Sequence, residues 1–121
     1  MSKDIMDRAR DRMKRMIKNE TREIPVPHLD ESEKDAVIFY IYPITTQEYQ
    51  NIVRYDNESD KCVQTLIERV RDADGTKRFN NVEFKEIKRN FDLGMLLDLT
   101  REINKDLQDI MAENAEETVG K

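Results

Sequence analysis

The fold is decided by residues 61–104, which read KCVQTLIERVRDADGTKRFNNVEFKEIKRNFDLGMLLDLTREIN. Apolar residues recur at helical spacing at its start, which predicts a helix over 59–71 with one buried face. The acidic turn Asp72–Thr76 follows, where Gly75 can adopt a backbone conformation that other residues resist. Phe79 is expected to anchor the chain back to the core, before a short helix to Asn90 and a longer helix over 93–112. The apolar stripe predicted for this longer helix comprises Leu93, Leu96, Leu97, Thr100, Ile103, Leu107, Ile110 and Met111. The face predicted to be buried in the first helix carries Cys62, Val63, Leu66, Ile67 and Val70.

The residues ahead of this stretch carry strand signals. Pro25 and Pro27 disfavour a helix and cannot donate to a central ladder, so we predict an edge strand at Thr21–Val26. Ala36–Tyr42 is a β-branched and aromatic run, which is the strongest strand signal in the chain. The two strands predict a small hairpin within 21–43. Because an isolated hairpin is marginal in water, it must pack on helices or pair with another chain.

These signals predict one α+β domain that is mostly α, which suits a chain of 121 residues. A basic amphipathic helix occupies residues 1–20. The core spans residues 21–111, with the hairpin followed by a bundle of about four helices over 45–111. The first of these helices is predicted over 46–56, with Tyr49, Ile52 and Val53 buried. Residues 112–121 form a flexible acidic tail. Polar residues that can cap the helices of the core are Thr45 or Thr46 with Glu48, Asn57 or Ser59, Asn80 or Asn81, and Asp92.

Charge is distributed unevenly along the chain. The net charge is −5, yet residues 1–18 are mainly basic and residues 106–121 are mainly acidic. Opposite charge at the two ends indicates electrostatic partners or head-to-tail contact, so we expect a homo-oligomer. An acidic domain does not fit a protein that coats nucleic acid, whose whole domain is usually basic. No apolar run is long enough to span a bilayer, and we expect a cytosolic protein.

The first helix has two interpretations. An amphipathic helix of this kind usually docks on its own domain or on a second subunit. The alternative is a helix that binds nucleic acid or a membrane surface through residues 3–18. Three aspartates interrupt the basic face and no aromatic residue is present, which favours the first interpretation. Methionines usually fill cores, but they also suit surfaces that accept varied apolar partners. The residues predicted to bind a partner are Ile5, Met6, Met13, Met16, Ile17, Leu107, Ile110 and Met111.

No pattern in the chain predicts catalysis, a cofactor or a metal site. Asp72–Glu83 has the length of an EF-hand loop, but Lys77 stands where that loop requires glycine, which excludes calcium. Cys62 and His28 are each the single residue of their type, so a structural zinc site within one chain is excluded. Cys62 lies on an apolar helix face, where an inert thiol is expected. The chain is therefore predicted not to be an enzyme.

The order of these elements resembles the tail assembly chaperones of long-tailed, siphovirus-type bacteriophages. In that family a β-hairpin with a Val-Pro and a later "T-x-x-E" precedes a helical part with a "D-x-D-G-x-x-x-F" turn. The matching positions here are Val26-Pro27, Tyr42-Pro43-Ile44-Thr45, Glu48 and residues 72–79, DADGTKRF. The resemblance covers roughly residues 24–104. The charged first helix and the long connector over residues 28–35 depart from the family pattern.

The resemblance implies a non-enzymatic role in the host cell cytoplasm. Such proteins hold the tape measure protein in soluble form while the tail tube polymerises around it, and they are absent from the finished virion. The tail tube protein and a longer, frameshifted form of the chain are further partners that it implies. Two other classes of function stay open: a structural tail or head–tail connection protein that is retained in the virion, and a small nucleic-acid-binding regulator that acts through residues 3–18.

Overall fold

The computed structural model describes residues 4–32 and 35–119, with the side chains of the last helix described as far as Asn114. The chain is α+β and mostly α, as predicted. The predicted hairpin is present, and the helices that follow it surround a central helix. The helices are α1 (Ile5–Glu20), α2 (Thr46–Val53), α3 (Glu58–Arg69), α4 (Phe84–Asn90), α5 (Leu93–Ile103) and α6 (Lys105–Val119), and the strands are β1 (Arg22–Pro25), β2 (Ile38–Ile41) and β3 (Val70–Arg71).

Helix α3 lies at the centre of the core. Every residue from Cys62 to Val70 is buried, and α2, α4 and α5 pack against the helix. The five residues predicted for its apolar face all lie in the core, which confirms the helical spacing of the sequence. Gln64, Thr65, Glu68 and Arg69 are buried too, so α3 is covered on every side from Cys62 onward. The core also contains Ile24, Val26, Phe39, Ile41, Ile87, Leu96, Leu99 and Ile103.

The sheet has three antiparallel strands in the order β1-β2-β3, so β1 is an edge strand as predicted. Ile24 pairs with Phe39, which directs both apolar side chains to the core. The prediction that the helix over 59–71 continues to residue 71 is wrong. Helix α3 ends at Arg69, and Val70 pairs with Ile41 as the start of a third strand. The β-branched Val70 favours the extended backbone, and burial against β2 stabilises it there.

The acidic turn brings the chain back alongside β3, where Arg71 and Lys77 form an antiparallel bridge. Gly75 has φ of 90°, the left-handed conformation expected of it. The Asp72 N–H donates to the carbonyl of Thr76 at 2.8 Å, which closes the turn. Phe79 then packs against the core, and its ring meets Phe39 edge-to-face with centroids 6.0 Å apart. The anchoring role predicted for Phe79 is therefore confirmed.

Helix starts follow the predicted caps. Thr45 and Glu48 form a reciprocal capping box at the start of α2. Asn57 caps α3, and Asn80 and Glu83 form a second capping box at a single 3₁₀ turn that leads into α4. Asp92 accepts from the Met95 N–H at 3.0 Å at the start of α5. These local hydrogen bonds satisfy backbone donors that a helix leaves free in its first turn.

The prediction of one helix over 93–112 is wrong, because the chain breaks at Asn104 into α5 and α6. Leu93 and Leu97, expected on the buried stripe, are exposed, and Leu99 takes their place in the core. Helix α6 also runs beyond residue 112 to Val119. Alanine and glutamate, both good helix formers, are frequent in this stretch. Its flexibility stays a prediction, and Gly120 and Lys121 lie outside the described residues.

No helix among the described residues combines the length and the apolar character required to cross a bilayer.

Candidate partner-binding site

Helix α6 is tied to the core by a buried arginine. The Arg69 side chain is fully buried, and it donates to both carboxylate oxygens of Asp106, at 2.9 and 2.7 Å. It also donates to the carbonyls of Ile103 at 3.1 Å and Tyr42 at 3.0 Å. A bidentate arginine–carboxylate pair fixes both position and orientation. The pair therefore holds the first turn of α6 against the end of β2.

Arg22 reinforces the same junction from the start of β1. It lies 3.2 Å from Asp106 and donates to the carbonyl of Glu102 at 2.8 Å and to the carbonyl of Ile103. Helices leave their last carbonyls without partners, and here the two arginines donate hydrogen bonds to these carbonyls. They explain why the helix breaks at Asn104 although apolar spacing continues across it. The sequence alone could not show this, because Arg22 and Arg69 are distant from α5 along the chain.

The electrostatics of the junction favour an ionised Asp106. Burial alone would raise the pKa of Asp106. The hydrogen bonds and charge of Arg69, joined by the charge of Arg22, outweigh burial and lower the pKa below its ordinary value of 3.8. Asp106 therefore carries its negative charge at neutral pH, and α6 stays attached.

The anchored α6 forms one wall of an apolar groove, which we call the α2–α6 groove. It encloses about 450 Å³. Tyr49, Ile52 and Val53 of α2 face Leu107 and Met111 of α6 across it. Glu58, Lys61 and Gln108 supply polar groups at its rim. The groove continues along α6 as a hollow of about 260 Å³ lined by Ile44, Thr45, Thr46, Tyr49, Leu107, Ile110 and Met111.

A second groove lies on the other side of α6, and we call it the α1–α6 groove. It encloses about 520 Å³. Arg12, Met16 and Glu20 of α1 form one wall. Asp106, Asp109, Ile110 and Glu113 of α6 form the other, and Arg22, Pro43 and Ile44 complete the lining. Its α1 wall therefore carries one basic and one acidic side chain, whereas the charged side chains of its α6 wall are all acidic.

The eight residues predicted to bind a partner comprise four that line a groove, two that are exposed outside the grooves and two that are half-buried on α1. Leu107, Ile110 and Met111 line the α2–α6 groove or its continuation, while Met16 and Ile110 line the α1–α6 groove. Ile5 and Met6 are 80% and 59% exposed and line neither groove. Helix α6 is the shared wall, so Ile110 belongs to both grooves. The remaining two, Met13 and Ile17, are half-buried on α1.

Sequence reasoning missed the α2 wall of the groove. It assigned Tyr49, Ile52 and Val53 to the buried face of α2, but only Ile52 is buried; Val53 is exposed and Tyr49 is half-buried. The sequence held no signal for this difference, because Tyr49, Ile52 and Val53 lie at i, i+3 and i+4, the spacing of a single helix stripe. Their neighbours on α6 could not be read from the sequence, because α2 and α6 are far apart along the chain.

The remaining candidate residues are occupied within the fold. Asp72 pairs with Arg78 at 2.5 Å. Hydrogen bonds from Thr76 lower the pKa of Asp74. Cys62 is buried, and it accepts a hydrogen bond from Thr100 at 3.4 Å. Within residues 4–32 and 35–119, no three His, Cys, Asp or Glu side chains are arranged to hold a metal ion.

No protein-family model, curated protein or solved structure matches the chain.

Proposed function

We propose that this protein is a bacteriophage tail assembly chaperone that binds a helix of the tape measure protein in the α2–α6 groove. The observation that carries the proposal is the apolar lining of that groove, where Tyr49 and Val53 face Leu107 and Met111. The proposal also draws on the resemblance of residues 24–104 to such chaperones. It assigns no catalytic step to any residue.

The chemistry of the groove fits an amphipathic helix. In helix-in-groove recognition, apolar residues three and four apart on the ligand enter an apolar cleft while its polar face stays in water. Tyr49 offers a broad ring with a polar end, and Met111 offers a flexible thioether that adapts to side chains of different shape. The lining residues Glu58 and Lys61 of α3 carry opposite charges and pair with each other at 3.5 Å, so the groove has both a carboxylate and an ammonium group beside its apolar lining.

Weak binding suits this role. Ile110 and Met111 are each 44% exposed in the free protein, so a client adds contact to side chains that are already partly covered. Each site then gains little, since hydrophobic stabilisation scales with the apolar area removed from water. Many copies along one extended client would hold it through multivalency. A growing tail tube could displace such copies one at a time.

The test is co-expression with the tape measure protein encoded in the same genome. The wild-type chain should move the tape measure protein into the soluble fraction, and the two should co-purify. The Met111→Lys variant places a charge in the groove and should reduce co-purification at least tenfold. The matched control is Leu97→Lys, since Leu97 is 39% exposed on α5 and lines neither groove.

The outcomes separate the proposal from its alternatives. No gain in tape measure solubility at molar excess of the chain would reject the chaperone role. Equal loss of binding in Met111→Lys and Leu97→Lys would reject the groove as the site. Detection of the chain in purified virions by mass spectrometry would favour a structural virion component instead, because a chaperone of this kind leaves before the particle is complete.

A further inference from the structure

The first two turns of helix α1 are largely exposed to solvent. It has sixteen residues, none of which is buried. Ile5 and Met6 are more than half exposed although they belong to its apolar stripe. An isolated helix of this length is only marginally stable in water, so its stability depends on packing. The α1 residues that line the α1–α6 groove lie in the later part of the helix, from Arg12 onward.

The charges of α1 and α6 are complementary. Helix α1 contains six basic and three acidic residues, whereas α6 contains five acidic residues and one lysine. Arg8 and Arg15 are two helical turns apart on the same side of α1, and both are exposed. Asp109 and Glu113 are one turn apart on α6, are exposed, and line the α1–α6 groove. Asp106 is not counted among the acidic residues that could pair with α1, because it already forms an ion pair with Arg69.

We infer that two copies of the chain associate reciprocally, with α1 of each copy packing along the acidic side of α6 in the other. Ile5 and Met6 of one copy then approach Ile110 of its partner, while Arg8 and Arg15 face Asp109 and Glu113. Because each copy carries both helices, one two-fold axis generates the contact twice and closes the assembly as a dimer. The side of α6 that faces α2 stays open for a client.

A charge exchange tests this pairing in the free protein, without any client. The first variant carries Arg8→Glu and Arg15→Glu, and the second carries Asp109→Lys and Glu113→Lys. Each variant alone brings like charges together at both contacts of a dimer. An equimolar mixture restores opposite charges at both contacts, and it does so only between different chains. Sedimentation equilibrium from about 1 to 100 µM covers the range in which a micromolar dimer forms.

The wild type is expected at twice the 14.4 kDa chain mass, each variant alone near one chain mass, and the mixture again at twice that mass. The wild-type dissociation constant should rise at least tenfold between about 50 and 500 mM salt, since exposed charges are screened. An Ile5→Ser, Met6→Ser double variant should also weaken the dimer at least tenfold. Far-UV circular dichroism checks that every variant is folded.

A monomeric wild type throughout this range would overturn the inference. So would variants that still dimerise alone, or a mixture that stays monomeric. Failure of this test leaves the client-binding proposal intact, because that proposal rests on Tyr49, Val53, Leu107 and Met111, which do not line the α1–α6 groove.

Discussion

Removing the carboxylate of Asp106 should destabilise the protein more than any surface substitution on α6. In Asp106→Ala, Arg69 keeps its charge and its full burial but loses both of its charge-assisted hydrogen bonds. Breaking a buried ion pair on one side typically costs about 3–5 kcal/mol. The carbonyls of Tyr42 and Ile103 still accept from Arg69, so we expect about 3 kcal/mol, the lower end of that range.

Urea unfolding at pH 7, followed by circular dichroism, measures this loss. With a denaturant dependence of about 1–3 kcal/mol per molar urea, the midpoint should fall by roughly 1–3 M. Gln108→Ala is the matched control, because Gln108 is exposed on the same helix, and it should stay within about 0.5 kcal/mol of the wild type. In an Arg69→Met background, Asp106→Ala should cost less than about 1 kcal/mol, since no buried charge remains. A loss below about 1 kcal/mol for Asp106→Ala in the wild-type background would refute the assignment of Arg69 as the anchor of α6.

Three further predictions concern the same fold. The lowered pKa of Asp106 means that its stabilisation is complete above the unfolded value of 3.8 and is lost as pH falls through the lower folded value. Urea midpoints measured from pH 7 to pH 2 should therefore fall less steeply below about pH 4 for Asp106→Asn than for the wild type, and parallel curves would contradict this. Gly75→Ala should lower stability by about 1–3 kcal/mol, because φ is positive and the added Cβ would collide with the Tyr42 hydroxyl; an unchanged melting temperature would show that the turn relaxes freely. Thr45→Ala should cost about 1 kcal/mol through loss of the capping box, against less than about 0.5 kcal/mol for the adjacent Thr46→Ala, and equal melting temperatures would contradict the cap.

Local signals in the sequence predicted much of the fold. The spacing of Cys62, Val63, Leu66 and Ile67 predicted apolar core residues of α3, and the caps at Thr45, Asn57 and Asp92 marked the helix starts. Both kinds of signal depend on residues within a few positions of one another. Strand β1 was also predicted, because prolines restrict the backbone wherever they occur.

Contacts between distant residues account for the errors. Strand β3 is only two residues long and depends on pairing with β2, so no local pattern distinguishes it from the end of a helix. The break at Asn104 depends on Arg22 and Arg69, which lie in other elements and donate hydrogen bonds to the last carbonyls of α5. The partner-binding residues on α6 were proposed from their spacing, but the α2 wall that turns them into a groove is formed only in the folded chain.

Methyl NMR of methionine tests most directly whether the client binds in the α2–α6 groove. In protein labelled at methionine methyl groups, Met111 reports on this groove, Met16 on the α1–α6 groove, and Met95 on the edge of the core. The signals are assigned by Met→Leu variants, and overlapping peptides from the tape measure protein are then added. We predict that a peptide with an amphipathic helical pattern shifts the Met111 signal and leaves the Met95 signal in place. A saturating peptide that leaves the Met111 signal unmoved would contradict the account.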